Sequence, residues 1–154
     1  MTPEICEQMP YKYIEDISLA DVCFVAEAKT LPKLLEECGL ATTNVMVKDL
    51  KSVKRKGKKT IKVEGENPEF LISKFIGEII FHKDADLLLF SKYTVKIEEP
   101  NAKHRTYKLT CKAEGEKLDM KKHELLVDVK AFTWHLFEVK HDKSGWKTRV
   151  ILDI

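Results

Sequence analysis

Two segments in which apolar residues recur at helical spacing are separated by segments that alternate like β-strands, and this order limits the folds open to the chain. The first helical segment runs from Leu31 to Met46, with Thr30 placed to cap it and Pro32 in its first turn. The second begins at Asn67-Pro68-Glu69, which combines an N-cap residue, a proline at the first helical position and a carboxylate near the positive end of the helix dipole. We expect this second helix to end near His82.

Gly39 interrupts the first helical segment. Glycine in a helix interior costs up to about 1 kcal/mol relative to alanine. We therefore predict that the helix packs closely against a sheet at this position.

Seven further segments have the composition and alternation of strands: residues 11–14, 22–28, 60–63, 87–97, 105–114, 126–139 and 146–152. In the 126–139 segment both faces become apolar after Lys130, which predicts a central strand covered on two sides. The order of elements predicts an α+β fold, with residues 1–154 forming a single domain in which two amphipathic helices pack on one mixed or antiparallel β-sheet.

Length and charge exclude several classes of protein. A chain of 154 residues can bury a core without disulfides or a structural metal, and 44% hydrophobic residues exclude a disordered chain. The 27 lysines and arginines nearly balance the 25 acidic residues, so the net charge is only +2 and a polyanion binder would need a concentrated basic patch. No apolar run reaches the ~18 residues of a membrane helix, and the first residues lack the layout of a signal peptide. We expect a cytoplasmic protein that does not bind membranes.

The one strong charge run lies at Lys48–Lys59, and a short strand follows it. Over residues 48–63 this pattern predicts a surface hairpin with solvated lysines at its tip. The alternative is a phosphate-facing patch for RNA, with an affinity that falls steeply as salt is added. No aromatic residue is interleaved in the run, so base stacking there is unsupported.

The usual catalytic signatures are absent: there is no phosphate-binding glycine loop, nucleophile elbow or zinc-protease motif. The four cysteines form no Cys-x-x-Cys pair, which argues against zinc-finger and thioredoxin-like chemistry. We expect them to be reduced and mostly buried. The five histidines show no ligand spacing.

Acidic groups at the ends of two apolar strands are the remaining candidates for chemistry. Asp21 stands where a strand begins, Asp153 follows the apolar run Val150-Ile-Leu, and Ile154 ends the chain with a free carboxylate. If the two strands are neighbours, three anionic oxygen groups meet, and these suit a hard cation such as Ca²⁺, Mg²⁺ or Mn²⁺. The spacing alone favours the simpler interpretation of surface acids at strand ends.

Several segments, in order along nearly the whole chain, share the pattern of one protein family. The most specific are Val129-Lys-Ala-Phe-Thr-Trp-His and the terminal Val150-Ile-Leu-Asp-Ile, and the others are residues 13–24, 29–38, 70–91, 113–116 and 122–123. Together these segments resemble the archease family. Only the first ten residues and the basic segment fall outside the resemblance.

The resemblance implies a function. Archeases are protein cofactors of the tRNA-splicing RNA ligase, which joins a 3′-phosphate end to a 5′-hydroxyl end after a metal-bound histidine of the ligase is guanylylated from GTP. The family speeds that guanylylation and supports repeated turnover, so we expect an activator in tRNA processing that is not itself an enzyme and meets RNA only through the ligase.

The resemblance also implies a site. Asp21, Asp153 and the Ile154 carboxylate would bind one divalent cation, which we expect to be Ca²⁺, with Mg²⁺ and Mn²⁺ as alternatives. Lys130 matches a functionally required lysine of the family, and its structural alternative is a simple ion pair. Many members have a His-Thr/Ser-Ala/Ser-Asp run before the strand, whereas this chain has Asp16-Ile-Ser-Leu-Ala-Asp21. Asp16 is therefore either a further ligand or a residue that supports the ligands.

Two other functions stay open. Clustered carboxylates with a divalent ion also hydrolyse phosphodiesters, so a small metal-dependent phosphohydrolase or nuclease is one alternative. An RNA-binding chaperone that uses the basic segment is the other.

Overall fold

The computed structural model describes residues 10–14 and 20–154. Within them the chain forms two α-helices, one 3₁₀ turn at Leu50–Ser52 and seven strands. The helices are α1 (Leu31–Met46) and α2 (Pro68–Asp86). The strands are β1 (Tyr11–Ile14), β2 (Asp21–Ala28), β3 (Gly57–Gly65), β4 (Leu88–Glu98), β5 (Tyr107–Lys117), β6 (Ala131–Asp142) and β7 (Gly145–Asp153).

The strands form two antiparallel sheets. One has the order β1-β2-β7-β6 and the other the order β3-β5-β4. The α+β class with two helices is confirmed, but the prediction of one sheet is wrong. Both α1 and α2 contact strands of both sheets, so the helices join the two sheets around a shared core.

The capping residues predicted for both helices are confirmed. The Thr30 hydroxyl accepts a hydrogen bond from the Lys33 backbone N–H at 3.3 Å, and the Asn67 side chain accepts one from the Phe70 N–H at 2.9 Å. The second helix continues one turn beyond His82 to Asp86. It ends where Leu87 adopts a left-handed conformation with φ of 55°, which stops the helical hydrogen-bond pattern.

The prediction that the 126–139 segment is a central strand is wrong. β6 begins only at Ala131 and lies at the edge of the four-stranded sheet, paired with β7 alone. Its aromatic residues pack on one another and on α2 instead of filling a space between two layers: Trp134 lies 5.3 Å from Phe132, 5.4 Å from Phe137 and 5.3 Å from Phe70, measured between ring centroids. Side-chain hydrophobicity alone does not distinguish this surface cluster from a doubly covered strand.

The predicted hairpin at residues 48–63 does not form. Asp49 caps the 3₁₀ turn, and the lysine-rich strand β3 then pairs with β5 along its whole length, from Gly57 opposite Gly115 to Gly65 opposite Tyr107. The partner of β3 is thus about fifty residues distant in sequence, beyond the reach of a local turn pattern.

The cysteines Cys23, Cys38 and Cys111 are free and buried, as predicted, whereas Cys6 lies outside the described residues. Among the described helices, none combines the length and the hydropathy required to cross a membrane.

At Gly39 helix α1 packs closely against the three-stranded sheet, as predicted. A Cβ atom at this position would lie 2.6 Å from the Tyr93 ring on β4. Tyr93 is itself held by a 2.7 Å hydrogen bond to the Thr43 hydroxyl and by edge-to-face contacts with Phe75 and Phe90. The ring therefore cannot move away without breaking a buried hydrogen bond.

We predict that Gly39→Ala lowers the free energy of unfolding by about 1–3 kcal/mol, because overpacking of a rigid core costs this much. Gly77→Ala on α2 is the matched control: no atom lies within 4 Å of its added Cβ, so higher helix propensity should stabilise the protein by up to about 1 kcal/mol. Urea denaturation of both variants measures the difference. Equal effects of the two substitutions would contradict the packing argument.

Candidate metal site

The start of β2 and the end of β7 lie side by side. In the antiparallel register Asp21 is directly opposite Asp153. Residues directly opposite each other on neighbouring strands project from the same face, with Cβ atoms about 5 Å apart. The ladder continues one step further, because the Ile154 N–H donates to the Ala20 carbonyl at 3.0 Å. The two acidic side chains and the last residue of the chain thus meet at one end of the four-stranded sheet.

Lys130 lies at the same end of the sheet, immediately before β6. Its backbone N–H donates to the Asp153 carbonyl at 2.8 Å, and the next residue, Ala131, is the register partner of Asp153. The Lys130 side chain is exposed and forms no ion pair with any residue of 10–14 or 20–154. The structural alternative of a simple ion pair is therefore not seen in this part of the chain.

Lys83 on α2 holds the segment that leads into Lys130. This lysine is buried, and its Nζ donates to the Asp128 carboxylate at 2.5 Å and to the Val129 carbonyl at 2.8 Å. Although burial disfavours its charged form, hydrogen bonds to Asp128 and Asp84 raise the pKa of Lys83 above its usual value. A charged anchor thus fixes the backbone immediately before Lys130.

The motifs along the sequence do not assign a role to Lys83. Its signal is a lysine on the apolar stripe of a helix, since position 83 continues the buried series Ile72, Ile76 and Ile79 at helical spacing. A lysine in such a position requires an anionic partner, and the segment that supplies Asp128 is too distant in sequence to be paired with it by pattern alone.

Asp21 and Asp153 are half-buried, and within residues 10–14 and 20–154 neither has a cationic partner. Like charges directly opposite each other on a sheet repel. In the described chain no three side chains of His, Cys, Asp or Glu come together as a metal-binding group. The described side-chain donors at this end of the sheet are therefore the carboxylates of Asp21 and Asp153, and Ile154 lies beside them. Asp16 lies outside the described residues.

This donor set consists of oxygen alone, which excludes zinc and copper as preferred ions and fits a hard divalent cation. Two carboxylates leave the remaining positions of a six- to eight-coordinate ion to other oxygens, such as backbone carbonyls or water. The cation expected from the sequence stays a prediction.

Comparison with known proteins decides the family. A model of the archease protein family matches residues 11–154. The chain belongs to the archease family. The resemblance drawn from the sequence motifs is thereby confirmed.

Individual archeases are similar over most of their length. The protein archease of Pyrococcus furiosus is 35% identical over 136 residues, which make up 88% of this chain and 93% of that protein. The archease of Methanosarcina barkeri is 30% identical over 145 residues, covering 94% and 95% of the two chains.

Solved structures agree with the archease fold. The solution structure of protein 1598 of Methanobacterium thermoautotrophicum matches with a TM-score of 0.80 at 31% identity, over 94% of this chain and 99% of that chain. A crystal structure described as an archease and possible chaperone, from Thermotoga maritima, matches with a TM-score of 0.58 at 18% identity over 92% and 97% of the chains, and supports the fold alone.

We predict that neutralising one member of the Asp21–Asp153 pair stabilises this archease when divalent cations are chelated. Asp21→Asn should raise the free energy of unfolding by about 0.2–1 kcal/mol at low ionic strength, because the cross-strand repulsion is removed. Glu27→Gln is the matched control on the same strand, since Glu27 faces Lys147 across β2 and β7 and forms an ion pair with it at 3.4 Å.

The control should be neutral or slightly destabilising. Urea denaturation in the presence of EDTA distinguishes the two substitutions. A stability of Asp21→Asn equal to or below that of Glu27→Gln would show that the two aspartates do not repel each other appreciably.

Proposed function

We propose that this archease activates a GTP-dependent tRNA-splicing RNA ligase by promoting its guanylylation and repeated turnover, and that it is itself a protein cofactor and not an enzyme. The proposal is supported above all by the pairing of Asp21 with Asp153, which brings the residues matched to the family's site together at one end of a sheet. The ligase is a cytoplasmic partner in this proposal, and RNA is met through it.

One divalent cation, with Ca²⁺ favoured over Mg²⁺ and Mn²⁺, would be held by Asp21, Asp153, the Ile154 carboxylate and Asp16. Bound there, it would supply a concentrated positive charge able to interact with phosphate oxygens of the ligase's nucleotide. The half-burial of Asp21, Asp153 and Ile154 suits this role, because it holds the oxygens in place while leaving them open to a partner.

Lys130 has a separate part in the proposal. Its exposed side chain starts beside the acidic end of the sheet, where a primary ammonium group can contact a triphosphate as a mobile point charge. The backbone is fixed at two successive residues. Lys83 Nζ donates to the Val129 carbonyl, and the Lys130 N–H donates to the Asp153 carbonyl. The chain thus contributes anionic groups for the cation and one cationic group for the phosphates from adjoining positions.

The cation site predicts a change in stability that needs no ligase. With CaCl₂ at about 100 times the dissociation constant, binding should stabilise the wild-type protein by about 2.7 kcal/mol. Asp21→Asn, Asp153→Asn and a Gly-Ser-Gly extension after Ile154 should each remove most of this gain, whereas Glu27→Gln should retain it. Calorimetric titration and thermal unfolding measure both quantities. Equal calcium binding by the wild type and the three site variants would refute the assigned ligands.

The ligase activity predicts a second, independent result. Asp21→Ala, Asp153→Ala and Lys130→Ala should each lower the stimulated rate of ligase-nucleotide formation from GTP by at least about tenfold, if each removes an interaction of about 1.4 kcal/mol. Lys12→Ala, an exposed lysine on β1, should behave as the wild type. Undiminished stimulation by all three site variants would disprove the proposal.

A parallel assay without the ligase tests the hydrolytic alternative. The archease alone, incubated with Mn²⁺ and RNA, should leave the RNA intact. Sustained cleavage that Asp21→Ala abolishes would instead assign a nuclease activity to the acidic site.

A further inference from the structure

A groove lined by lysines lies at one end of the three-stranded sheet, formed by the start of β3, the end of β5 and the turn that follows β5. Its volume is about 830 Å³. Two carboxylates, Glu116 and Asp119, lie among the lining residues. We call this cavity the lysine groove. Its lining lysines are Lys56, Lys58, Lys59, Lys117 and Lys122. Five lysines against two acids give this one groove a formal charge of +3, although the whole chain carries only +2.

The Glu116 carboxylate binds several residues that form the groove. Its side chain is buried, and it accepts hydrogen bonds from Lys122 Nζ at 2.6 Å and from the Lys54 backbone N–H at 2.8 Å, with Lys56 Nζ at 3.8 Å. The His123 ring lies 2.9 Å from the same carboxylate. Hydrogen bonds from Lys122 and the Lys54 N–H lower the pKa of Glu116 to about 2, so the carboxylate stays ionised at neutral pH and keeps these lysines in place. Glu116 thus orders the part of the groove formed by Lys122 and Lys56.

Positive charge continues from the groove over the outer face of the three-stranded sheet. Lys58 lies on this face, opposite Glu114, and Lys92 lies on the other side of Glu114. The next rows across the strands alternate lysine and threonine: Thr60, Lys112 and Thr94, then Lys62, Thr110 and Lys96. These three rows carry five lysines and one glutamate, and no apolar side chain interrupts them.

Several lysines of the groove have no carboxylate partner within the described residues. In the described part of the chain, Lys58, Lys59 and Lys117 form no ion pair with a carboxylate, and all three are exposed. Lysines held close together without counter-ions repel one another, so an anion that bridges them would be bound favourably.

The composition of the surface distinguishes between two kinds of polyanionic partner. Protein interfaces are enriched in aromatic residues and arginine and depleted in lysine, and the lysine groove has the opposite composition. The aromatic ring among its lining residues, that of Phe90, is only 2% exposed and cannot stack on a base. Contacts from lysines to phosphates carry no base information.

We propose that the lysine groove and the adjoining face of the three-stranded sheet bind the phosphodiester backbone of a nucleic acid without reading its bases. Such a surface would be a direct contact to nucleic acid in addition to the contact through the ligase. It lies on the other sheet from Asp21 and Asp153 and does not depend on the cation site.

The test uses the full-length protein and a fluorescein-labelled 20-nucleotide RNA of mixed sequence, with DNA of the same sequence as a second probe. Fluorescence anisotropy at several KCl concentrations gives the affinity and its salt dependence. The double variant K58Q/K59Q should bind about tenfold more weakly at low salt. The slope of log affinity against log salt should fall by about 1.4, since each phosphate contact to a single strand contributes about 0.7.

The double variant K12Q/K143Q is the matched control. It removes the same charge from two exposed lysines, one on β1 and one in the turn between β6 and β7, that have no ion pair within the described residues, so it should retain the affinity and slope of the wild type. Circular dichroism should show an unchanged fold for both variants, because all four side chains are exposed.

Three results would overturn the proposal: no binding of either nucleic acid by the wild type, equal weakening by the two double variants, or displacement of the labelled RNA by poly-glutamate at a lower charge concentration than by unlabelled RNA. The last result would assign the surface to an acidic protein. Similar affinities for RNA and DNA are expected from backbone contact alone, and a strong preference for one sequence would contradict it.

Discussion

The pairing of β2 with β7 is the interaction on which the rest of this archease structure depends. Eight register pairs join the strands, from Asp21 opposite Asp153 to Ala28 opposite Trp146. The central residues of both strands, among them Phe24 and Val150, are fully buried, so the register is determined by the core. A slip of one residue would move every one of these side chains to the opposite face. The position of the acidic residues at the strand ends therefore follows from hydrophobic burial several residues away.

The helices transmit that order to the second sheet. Because α1 and α2 each contact strands of both sheets, neither sheet has a core of its own. The contact between Gly39 and Tyr93 fixes the distance of α1 from the three-stranded sheet, while Lys83 on α2 holds the backbone before Lys130. The small residue Gly39 in one helix and the buried Lys83 in the other thus determine where the acidic end of one sheet and the lysine-rich face of the other lie.

These surfaces have opposite charge. The end of the four-stranded sheet carries Asp21 and Asp153, whereas the lysine groove and the outer face of the three-stranded sheet carry several lysines that form no ion pair within the described residues, among them Lys58, Lys59 and Lys117. The net charge of +2 for the whole chain shows neither surface. The two proposals give these surfaces distinct partners: a divalent cation with the nucleotide of a ligase for the acidic end of one sheet, and a phosphodiester backbone for the lysine groove on the other.

The amino-acid sequence by itself determined the local elements and the residues at their ends. Thr30 and Asn67 cap their helices as predicted, since capping depends on hydrogen bonds within one turn. The family motifs identified the archease family and drew attention to Asp21, Asp153 and Lys130. Asp16, which the same motifs include, falls outside the described residues.

Only the tertiary structure decided which strands become neighbours. The edge position of β6, the pairing of β3 with β5, the anchoring role of Lys83 and the gathering of five lysines around Glu116 all depend on contacts between residues distant in sequence. Alternation along a strand indicates which side chains share a face, but it does not indicate which element covers that face or which strand lies beside it. Those relations are set by how the whole chain buries its apolar surface at once.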